Sequence, residues 1–258
     1  MKRHLITALL AGVLCTGPVM AQELLVEGAV ASPGRYLWRD DLRLLDLTTT
    51  VKPTADAWPL GAALLRQSAR QEQRKLKAGV LFDLHTARVN AGRIEDPSLT
   101  ALLERQLQQI SRMAVTGRIQ AEMNPLKQRL LAYNPLLEPG DHIVYPTRPS
   151  TIRLTGAVIE ECVTAFVPAQ PAAAYLDSCP RHWAADRDYV YLIQPDSTVQ
   201  RLGVASWNSN DGWLATGGTL YVPFHPALFG ESGNDFNDEM AALLATQYTG
   251  LEATAADE

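Results

Sequence analysis

The sequence predicts an α+β fold of two related halves, with a helical insertion in the first half and a short amphipathic helix after the second. Three observations support this prediction. Short segments of alternating β-branched and aromatic residues are bounded by glycine and proline turns, which is typical of strands. Two of these segments occur twice, in the same order. Between the copies, apolar residues recur at helical spacing.

The N-terminus has the pattern of a cleavable signal peptide over residues 1–21. Two basic residues precede an uncharged apolar stretch over 5–14, and small or apolar residues that suit cleavage follow it. The apolar stretch is about half of the ~20 residues that a membrane-spanning helix needs. Leu14 directly before Cys15 does not fit a lipidation site. We therefore expect export to the periplasm and a mature chain that begins near Gln22.

The charge balance excludes a basic bias toward nucleic acid. The chain has 23 Lys and Arg against 28 Asp and Glu, and loss of Lys2 and Arg3 with the signal leaves 21 against 28, a net charge of −7. No apolar run after the signal is long enough to cross a bilayer. We expect no nucleic-acid partner, no cofactor and no transmembrane segment after signal cleavage.

Two cysteines, Cys162 and Cys179, remain in the mature chain. In an oxidising compartment such a pair predicts a disulfide. A bridge that closes a loop of this length stabilises a protein by about 3 kcal/mol in the chain-entropy model. Two buried free thiols are the alternative.

An internal similarity predicts two duplicated small domains. Residues 25–30 are echoed by 153–158, and each copy is an alternating strand with Gly-Ala near its end. Residues 137–146 are echoed by 214–223, and each copy is a glycine-containing turn that feeds a strand and ends at a proline. Two such matches in one order favour a duplication over one continuous fold.

The order of elements in the second half predicts a β-grasp (ubiquitin-like) domain, a small mixed sheet wrapped around one helix. The predicted elements are strands at 151–158 and 165–167, a helix at 171–178, and strands at 189–194, 199–204 and 219–224. The first half starts in the same way, with a strand at 35–38 and a helix at 42–50. The sequence therefore predicts two tandem β-grasp domains over 22–146 and 147–230.

The first domain is interrupted by a helical insertion at about 60–117. Two apolar stripes at helical spacing predict two helices, which pack on each other and on the sheet. Their residues are Leu76, Val80, Leu81 and Leu84, then Leu99, Leu102, Leu103, Leu107, Ile110 and Met113. Asp96 and Pro97 suit the N-cap and first turn of the second helix.

A further stripe of Phe236, Met240, Leu243 and Leu244 predicts an amphipathic C-terminal helix within 231–250. This helix is too short to span a bilayer. It either docks on the second domain or offers its apolar face to a partner or a membrane surface. Residues 251–258 are small and acidic, and we expect a disordered tail there.

Several of these segments, taken together, resemble the GfcC family of capsule-biosynthesis proteins. They are residues 58–65, 115–118, 148–158, 205–208 and 236–240. The resemblance covers nearly all of the mature chain, in order. Residues 26–36 also resemble the soluble-ligand-binding β-grasp (SLBB-like) signature of export proteins. The second copy departs from that signature, because Glu160, Glu161 and Cys162 stand where Pro-Gly is expected.

The resemblance implies a non-enzymatic periplasmic accessory protein for the secretion of a capsule-like polysaccharide or exopolysaccharide. The partners that it implies are outer-membrane or periplasmic polysaccharide secretion proteins, with the polysaccharide itself as a further partner. A periplasmic carbohydrate-binding or carbohydrate-modifying protein that acts on the polymer is the alternative. A scaffold for another envelope pathway is a third interpretation, because β-grasp domains host many functions.

No group of residues shows the spacing of a catalytic or metal site. The histidines after the signal are dispersed, and neither a Gly-x-Ser-x-Gly elbow nor a phosphate loop occurs. The tryptophans could stack on sugar rings, but they are spread along the chain and we expect most of them in cores or interfaces. These residues are His85, His142, His182 and His225, and Trp38, Trp58, Trp183, Trp207 and Trp213.

Arg118 is the predicted binding residue. It follows Thr116 and Gly117, where the insertion returns to the sheet, and the family resemblance places a Thr-Gly-Arg motif here. Its rigid fork of donors suits a carboxylate, a sugar or a cluster of backbone carbonyls. We expect Arg118 to line a functional pocket between the insertion and the first β-grasp domain. A structural arginine that bridges insertion and sheet is the alternative.

Overall fold

The computed structural model describes residues 22–93 and 95–248, which form two five-stranded sheets. The first sheet comprises β1 (Glu23–Gly28), β2 (Gly34–Leu37), β3 (Ala63–Leu65), β4 (Arg118–Ile119) and β5 (His142–Tyr145). The second comprises β6 (Thr151–Gly156), β7 (Cys162–Ala165), β8 (Tyr189–Ile193), β9 (Val199–Gly203) and β10 (Thr219–Val222).

The two sheets share one topology. Their strand orders are β2-β1-β5-β3-β4 and β7-β6-β10-β8-β9, so the first and last strands of each unit lie side by side in the centre. These central pairs, β1 with β5 and β6 with β10, are parallel, and the other pairs are antiparallel. Helix α1 (Leu44–Val51) crosses the first unit and a 3-10 helix (Ala172–Ser178) occupies the corresponding place in the second. The prediction of two tandem β-grasp units in an α+β fold is confirmed.

The repeated motifs fall on the central parallel pairs, and the repeated glycines have a steric reason. Gly28 and Gly156 have φ values of +89° and +100°, a region that favours glycine. A Cβ atom would lie 2.1 Å from the Tyr145 carbonyl oxygen at the first position and 2.3 Å from that of Val222 at the second. Each unit therefore needs glycine where its first strand ends against its last strand.

The insertion in the first unit is a helical hairpin, α2 (Arg70–Arg93) and α3 (Pro97–Arg112), between strands β3 and β4. Strand β3 itself lies inside the predicted range of 60–117, so part of that range belongs to the sheet. The predicted cap of α3 is confirmed, because the Asp96 side chain accepts a hydrogen bond of 2.8 Å from the Leu99 N–H. Pro97 occupies the first turn, where its missing N–H costs nothing.

The insertion of the first unit packs in the core of the second unit. One hydrophobic cluster contains Leu84 of α2 and Leu103 of α3 together with Leu154 of β6 and Leu220 of β10. The first unit has a separate cluster around its own sheet and α1. The sequence predicted that the two helices pack on each other and on the sheet; in the structure they pack on each other, and α2 also packs on the segment at 226–245 that follows the second sheet.

Helix α4 (Gly233–Ala245) docks internally, on α2 and on the second sheet. Phe236, Met240 and Leu243 are completely buried there. Asn237 fixes the helix, because its Oδ1 accepts hydrogen bonds from the Tyr221 hydroxyl (2.8 Å) and the Phe224 N–H (3.0 Å). Of the two alternatives for this helix, the structure has the docked one.

One predicted strand is displaced. The partner of β6 is β7 at Cys162–Ala165 and not the predicted 165–167. The ladder ends after Ala165: the Phe166 N–H still donates to the Ser150 carbonyl opposite it (2.8 Å), but the Val167 N–H donates to the Tyr175 hydroxyl (2.8 Å).

Two predictions fall outside the described residues, namely the signal peptide over 1–21 and the disordered tail over 251–258. The domain bounds of 22–146 and 147–230 stay predictions. Within 22–93 and 95–248, no helix combines the length and the apolar character that a bilayer crossing requires.

Candidate functional site

The Thr116-Gly117-Arg118 turn joins the insertion to strand β4. Gly117 has a φ of +73°, and a Cβ atom there would lie 2.3 Å from the Arg66 carbonyl oxygen, so the turn requires glycine. The Gly117 N–H donates a hydrogen bond of 2.5 Å to Oε1 of Gln73, a buried residue of α2. The Gln73 side chain on α2 thus fixes the turn that carries Arg118.

Thr116 connects the same turn to the end of the chain that the structure describes. Its hydroxyl donates to the Thr246 carbonyl (2.8 Å), one residue beyond α4. Its oxygen accepts from the Arg118 N–H (3.0 Å) and from Nε2 of Gln73 (3.3 Å). Thr116 is buried, and these contacts satisfy its hydroxyl fully.

The guanidinium of Arg118 donates to backbone carbonyls in three separate parts of the fold. Nη1 donates to Gln247 after α4 (2.6 Å), and Nη2 donates to Ala62 before β3 (3.2 Å) and to Pro195 in the turn between β8 and β9. These contacts use three of the five N–H donors of an arginine. They give Arg118 the structural role of a clamp, and its binding role stays a prediction.

Burial dominates the electrostatics of Arg118. It lowers the pKa of the guanidinium to about 10, because the charged form loses water, while the charge of Asp196 acts in the opposite direction. Arginine is therefore still charged at neutral pH. A lysine at this position has a lower intrinsic pKa and one point charge instead of a fork.

Arg118 lies at the edge of a cleft of about 840 Å³. The floor is the face of the second sheet that carries Arg153, Ile193 and Thr219. The α3 face with Arg105 and Arg112 forms one wall, and the chain after α4 forms another. The sequence predicted a pocket between the insertion and the first domain, and the structure has it between the insertion and the second domain.

The lining of this cleft is cationic and rich in amides. Four arginines and four glutamines line it, and none of the described lining residues is Asp or Glu. They are Arg105, Arg112, Arg118 and Arg153, and Gln108, Gln109, Gln194 and Gln247. The whole chain has a formal net charge of −5, so the positive charge of the cleft is opposite in sign to that of the protein as a whole. Clefts with one sign of charge focus the field on ligands of the opposite sign.

Two polar atoms of the α3 wall lack a partner within the part of the chain that the structure describes. They are Nε of Arg105 and Oε1 of Gln109, and both are buried. Leaving a buried donor or acceptor unpaired costs about 1–3 kcal/mol. The Arg105 side chain is held in place through its Nη2, which donates to the Val158 carbonyl (2.7 Å).

Sequence reasoning missed the other cleft arginines, although a signal existed. Arg105, Gln108, Gln109 and Arg112 follow the i, i+3, i+4, i+7 spacing of one helix face. Arg153 alternates with buried residues of β6 and therefore points to the face opposite the 3-10 helix.

His182 contacts Ser98 at the start of α3, yet this pair is not a nucleophile with its base. Nε2 of His182 lies 2.7 Å from the Ser98 hydroxyl, and Nδ1 accepts from the Ala184 N–H (3.1 Å). Because Nδ1 accepts, the neutral ring carries its proton on Nε2 and donates it to Ser98. A histidine in this tautomer does not take a proton from serine.

The remaining predicted residues do not converge. No metal-ligating group of three or more His, Cys, Asp or Glu side chains occurs within residues 22–93 and 95–248. Trp38 donates to the Leu137 carbonyl (2.7 Å) inside the first unit. Trp183, Trp207 and Trp213 are exposed, and none of them lines the cleft.

The predicted disulfide is confirmed. Cys162 and Cys179 form it, with an S–S distance of 2.06 Å and a sequence separation of 17. It joins β7 to the residue that follows the 3-10 helix of the second unit. The bridge therefore anchors the helix that this sheet encloses.

Comparisons with known proteins give one consistent family. The family described as capsule biosynthesis GfcC, N-terminal, matches residues 32–147, and the family described as capsule biosynthesis GfcC C-terminal matches residues 161–249. An Escherichia coli (strain K12) protein, described as uncharacterized protein YjbG, is 25% identical over 202 residues. This alignment covers 78% of the present chain and 80% of the relative.

Proposed function

Because the chain belongs to the GfcC family of capsule-biosynthesis proteins, we propose that it is a non-enzymatic periplasmic accessory protein for the secretion of a capsule-like polysaccharide or exopolysaccharide. It acts through contacts with outer-membrane or periplasmic secretion proteins. The family gives the role in polysaccharide production. The mode of action is inferred from the surface and the compartment.

An exposed apolar segment in the first unit is the main support for the proposed contact with secretion proteins. Between β4 and β5, residues 126–136 expose four leucines and a tyrosine, and Leu126 and Leu131 are 74% and 72% exposed. The full set is Leu126, Leu130, Leu131, Tyr133 and Leu136. Single exposed apolar residues are ordinary, whereas a concentration of them favours a protein interface.

The disulfide supports the periplasmic location. Structural disulfides persist in oxidising compartments and are rare in the cytosol. The Cys162–Cys179 bridge together with the predicted signal peptide over 1–21 therefore favours the periplasm. Detection of the mature protein in a periplasmic extract, with an N-terminus near Gln22, is the expected result.

Deletion of the gene tests the proposed role. We expect loss of surface polysaccharide in the source bacterium, with full rescue by the wild-type gene. Unchanged surface polysaccharide after deletion would overturn the proposed function.

A variant of the apolar segment tests the proposed contact. We expect Leu130→Asp with Leu131→Asp to leave the folded protein abundant and to fail in rescue, because both side chains are exposed. Phe82→Asp is the matched control, since Phe82 is exposed to a similar extent (71%) on α2. Full rescue by the double variant would show that the segment is not the contact surface.

The cleft favours a second candidate, a carbohydrate-binding protein that acts on the polymer itself. Its arginines and amides are the side chains that recognise acid groups and hydroxyls. The two candidate functions depend on different surfaces. A protein that contacts secretion proteins needs the apolar segment, whereas a protein that binds the polymer needs the cleft. Rescue assays with variants of each surface separate them.

A further inference from the structure

We propose that the cleft between α3, the second sheet and the chain after α4 binds a carboxylate-bearing saccharide. The choice of a saccharide rests on the proposed role in polysaccharide production. The choice of an acid group rests on the cleft alone.

The charge of the cleft selects an anionic ligand. Arginines enter it from three directions, with Arg105 and Arg112 on α3, Arg153 on the floor and Arg118 at the edge. Asp196 acts on Arg118 but is not among the lining residues. Planar guanidinium groups match a carboxylate with two parallel hydrogen bonds, which a lysine does not achieve.

The rest of the lining suits a sugar ring. The amides of Gln108 and Gln109 offer donors and acceptors for hydroxyl groups. Tyr248 offers aromatic surface for the apolar face of a ring. The volume of about 840 Å³ falls within the range of about 300–1,000 Å³ that is usual for small-ligand sites.

The geometry favours a saccharide over an acidic peptide. Extended peptides bind most often at a sheet edge, where they continue the backbone hydrogen bonds. The floor of this cleft is the face of the second sheet, so side chains and not free backbone groups point into it. A ligand with many hydroxyl groups uses such a surface better than a polypeptide does.

Calorimetric titration of the purified mature chain tests the proposal. The ligands are trigalacturonate, triglucuronate, the methyl ester of trigalacturonate and a hexaglutamate peptide, all at one ionic strength because salt screens these contacts. We expect at least one acidic trisaccharide to bind. We expect the methyl ester, which keeps the shape and loses the charge, to bind at least tenfold more weakly, and the peptide not to bind.

Two variants assign the binding to the cleft. Arg112→Ala removes an exposed arginine of the α3 wall, and we expect at least a tenfold loss of affinity for the acidic trisaccharide. Arg74→Ala removes an exposed arginine of α2 outside the cleft, and we expect no change. Arg118→Ala is not used, because it also breaks the clamp.

Three results would overturn the proposal. They are no binding of either acidic trisaccharide, equal binding of the methyl ester, and unchanged binding by Arg112→Ala. Tighter binding of the hexaglutamate peptide would assign the cleft to an acidic protein segment instead. Because these measurements use purified protein, they fail or succeed independently of the gene-deletion test of secretion.

Discussion

At the scale of single residues, Arg118 decides how three distant chain segments meet. Ala62, Pro195 and Gln247 present carbonyl oxygens to its guanidinium, and each of these oxygens would otherwise lose water without a replacement. A single cation satisfies all of them. One side chain therefore links the first unit, the second unit and the chain after α4.

We expect Arg118→Ala to lower the free energy of unfolding by about 2–4 kcal/mol, because it leaves buried carbonyl groups without a donor. Urea unfolding of the purified protein measures the change. Arg112→Ala is the matched control, since Arg112 is exposed and its loss should change stability by less than about 0.5 kcal/mol. Equal losses in the two variants would contradict the clamp.

We expect the stability contribution of His182 to depend on pH. Burial lowers its pKa below the ordinary 6.5, Arg105 adds to this effect, and Asp96 opposes it. The unfolded chain therefore binds the proton more readily, so the contribution is complete above pH 6.5 and is lost as the pH falls toward the folded-state pKa. Protonation of Nδ1 also breaks its hydrogen bond from the Ala184 N–H.

The measurement is the free energy of unfolding at about pH 7.5 and about pH 5.5, on either side of the ordinary histidine pKa. Wild type should lose more stability between these values than His182→Gln. Identical losses would show that His182 does not carry the effect. His142, whose pKa burial also lowers, remains in both proteins and cancels in the comparison.

The identity of a residue shows which hydrogen-bond donors its side chain has, but not which acceptors those donors contact in the fold. Arg118 was found from a short motif, and its rigid fork indicated a cluster of acceptors. Its partners were not predictable, because the backbone carbonyls of Ala62, Pro195 and Gln247 carry no side-chain signal. Gln73 and Asn237 were missed for a related reason, since their buried contacts join residues far apart in the sequence.

At the scale of elements, local patterns were reliable and relative placement was not. The cap at Asp96 and the apolar stripe of α3 depend on neighbouring residues, and both were predicted correctly. A stripe shows which face of a helix is buried but not which element covers it. Strand β7 was misplaced because Val167 has strand-like composition, yet its N–H bonds to the Tyr175 hydroxyl and not to the neighbouring strand.

We expect removal of the disulfide to destabilise the second unit. Cys162→Ala with Cys179→Ala should lower the free energy of unfolding by about 3 kcal/mol, the value for a loop of this length in the chain-entropy model. Denaturant unfolding of the variant, and of wild type with and without a thiol reductant, measures it. Reduction should affect wild type and leave the double variant unchanged. A variant as stable as the oxidised wild type would refute the expectation.

At the scale of the whole molecule, the two units are interleaved and not merely consecutive. One face of the second sheet packs on its own 3-10 helix, the other is covered by α4, and α2 from the first unit packs on α4 in turn, so that one hydrophobic cluster runs through all of them. The duplication predicted the topology of each unit, because matching motifs mark matching strands. It did not predict the shared core, since the insertion has no counterpart in the second unit.

We expect a fragment of residues 147–258 to lack a fixed tertiary structure. Without α2 and α3, α4 loses one of its two contact surfaces, and the apolar residues that it packs against α2 become exposed. Near-ultraviolet circular dichroism and binding of a hydrophobic dye measure this, with the full mature chain as the control. A fragment with native-like dichroism and no dye binding would show that the second unit is autonomous.

The clamp at the Thr116-Gly117-Arg118 turn also has a kinetic consequence. It joins Thr116 to Thr246 and Arg118 to Gln247, over separations of 130 and 129 residues. Contacts over such separations form late in folding, because a long loop must close before they contribute. The insertion helices precede α4 in the chain, so the part of α2 on which α4 packs stays uncovered until the last described residues are available. An incompletely folded chain therefore exposes apolar surface on the insertion, and docking of α4 removes it.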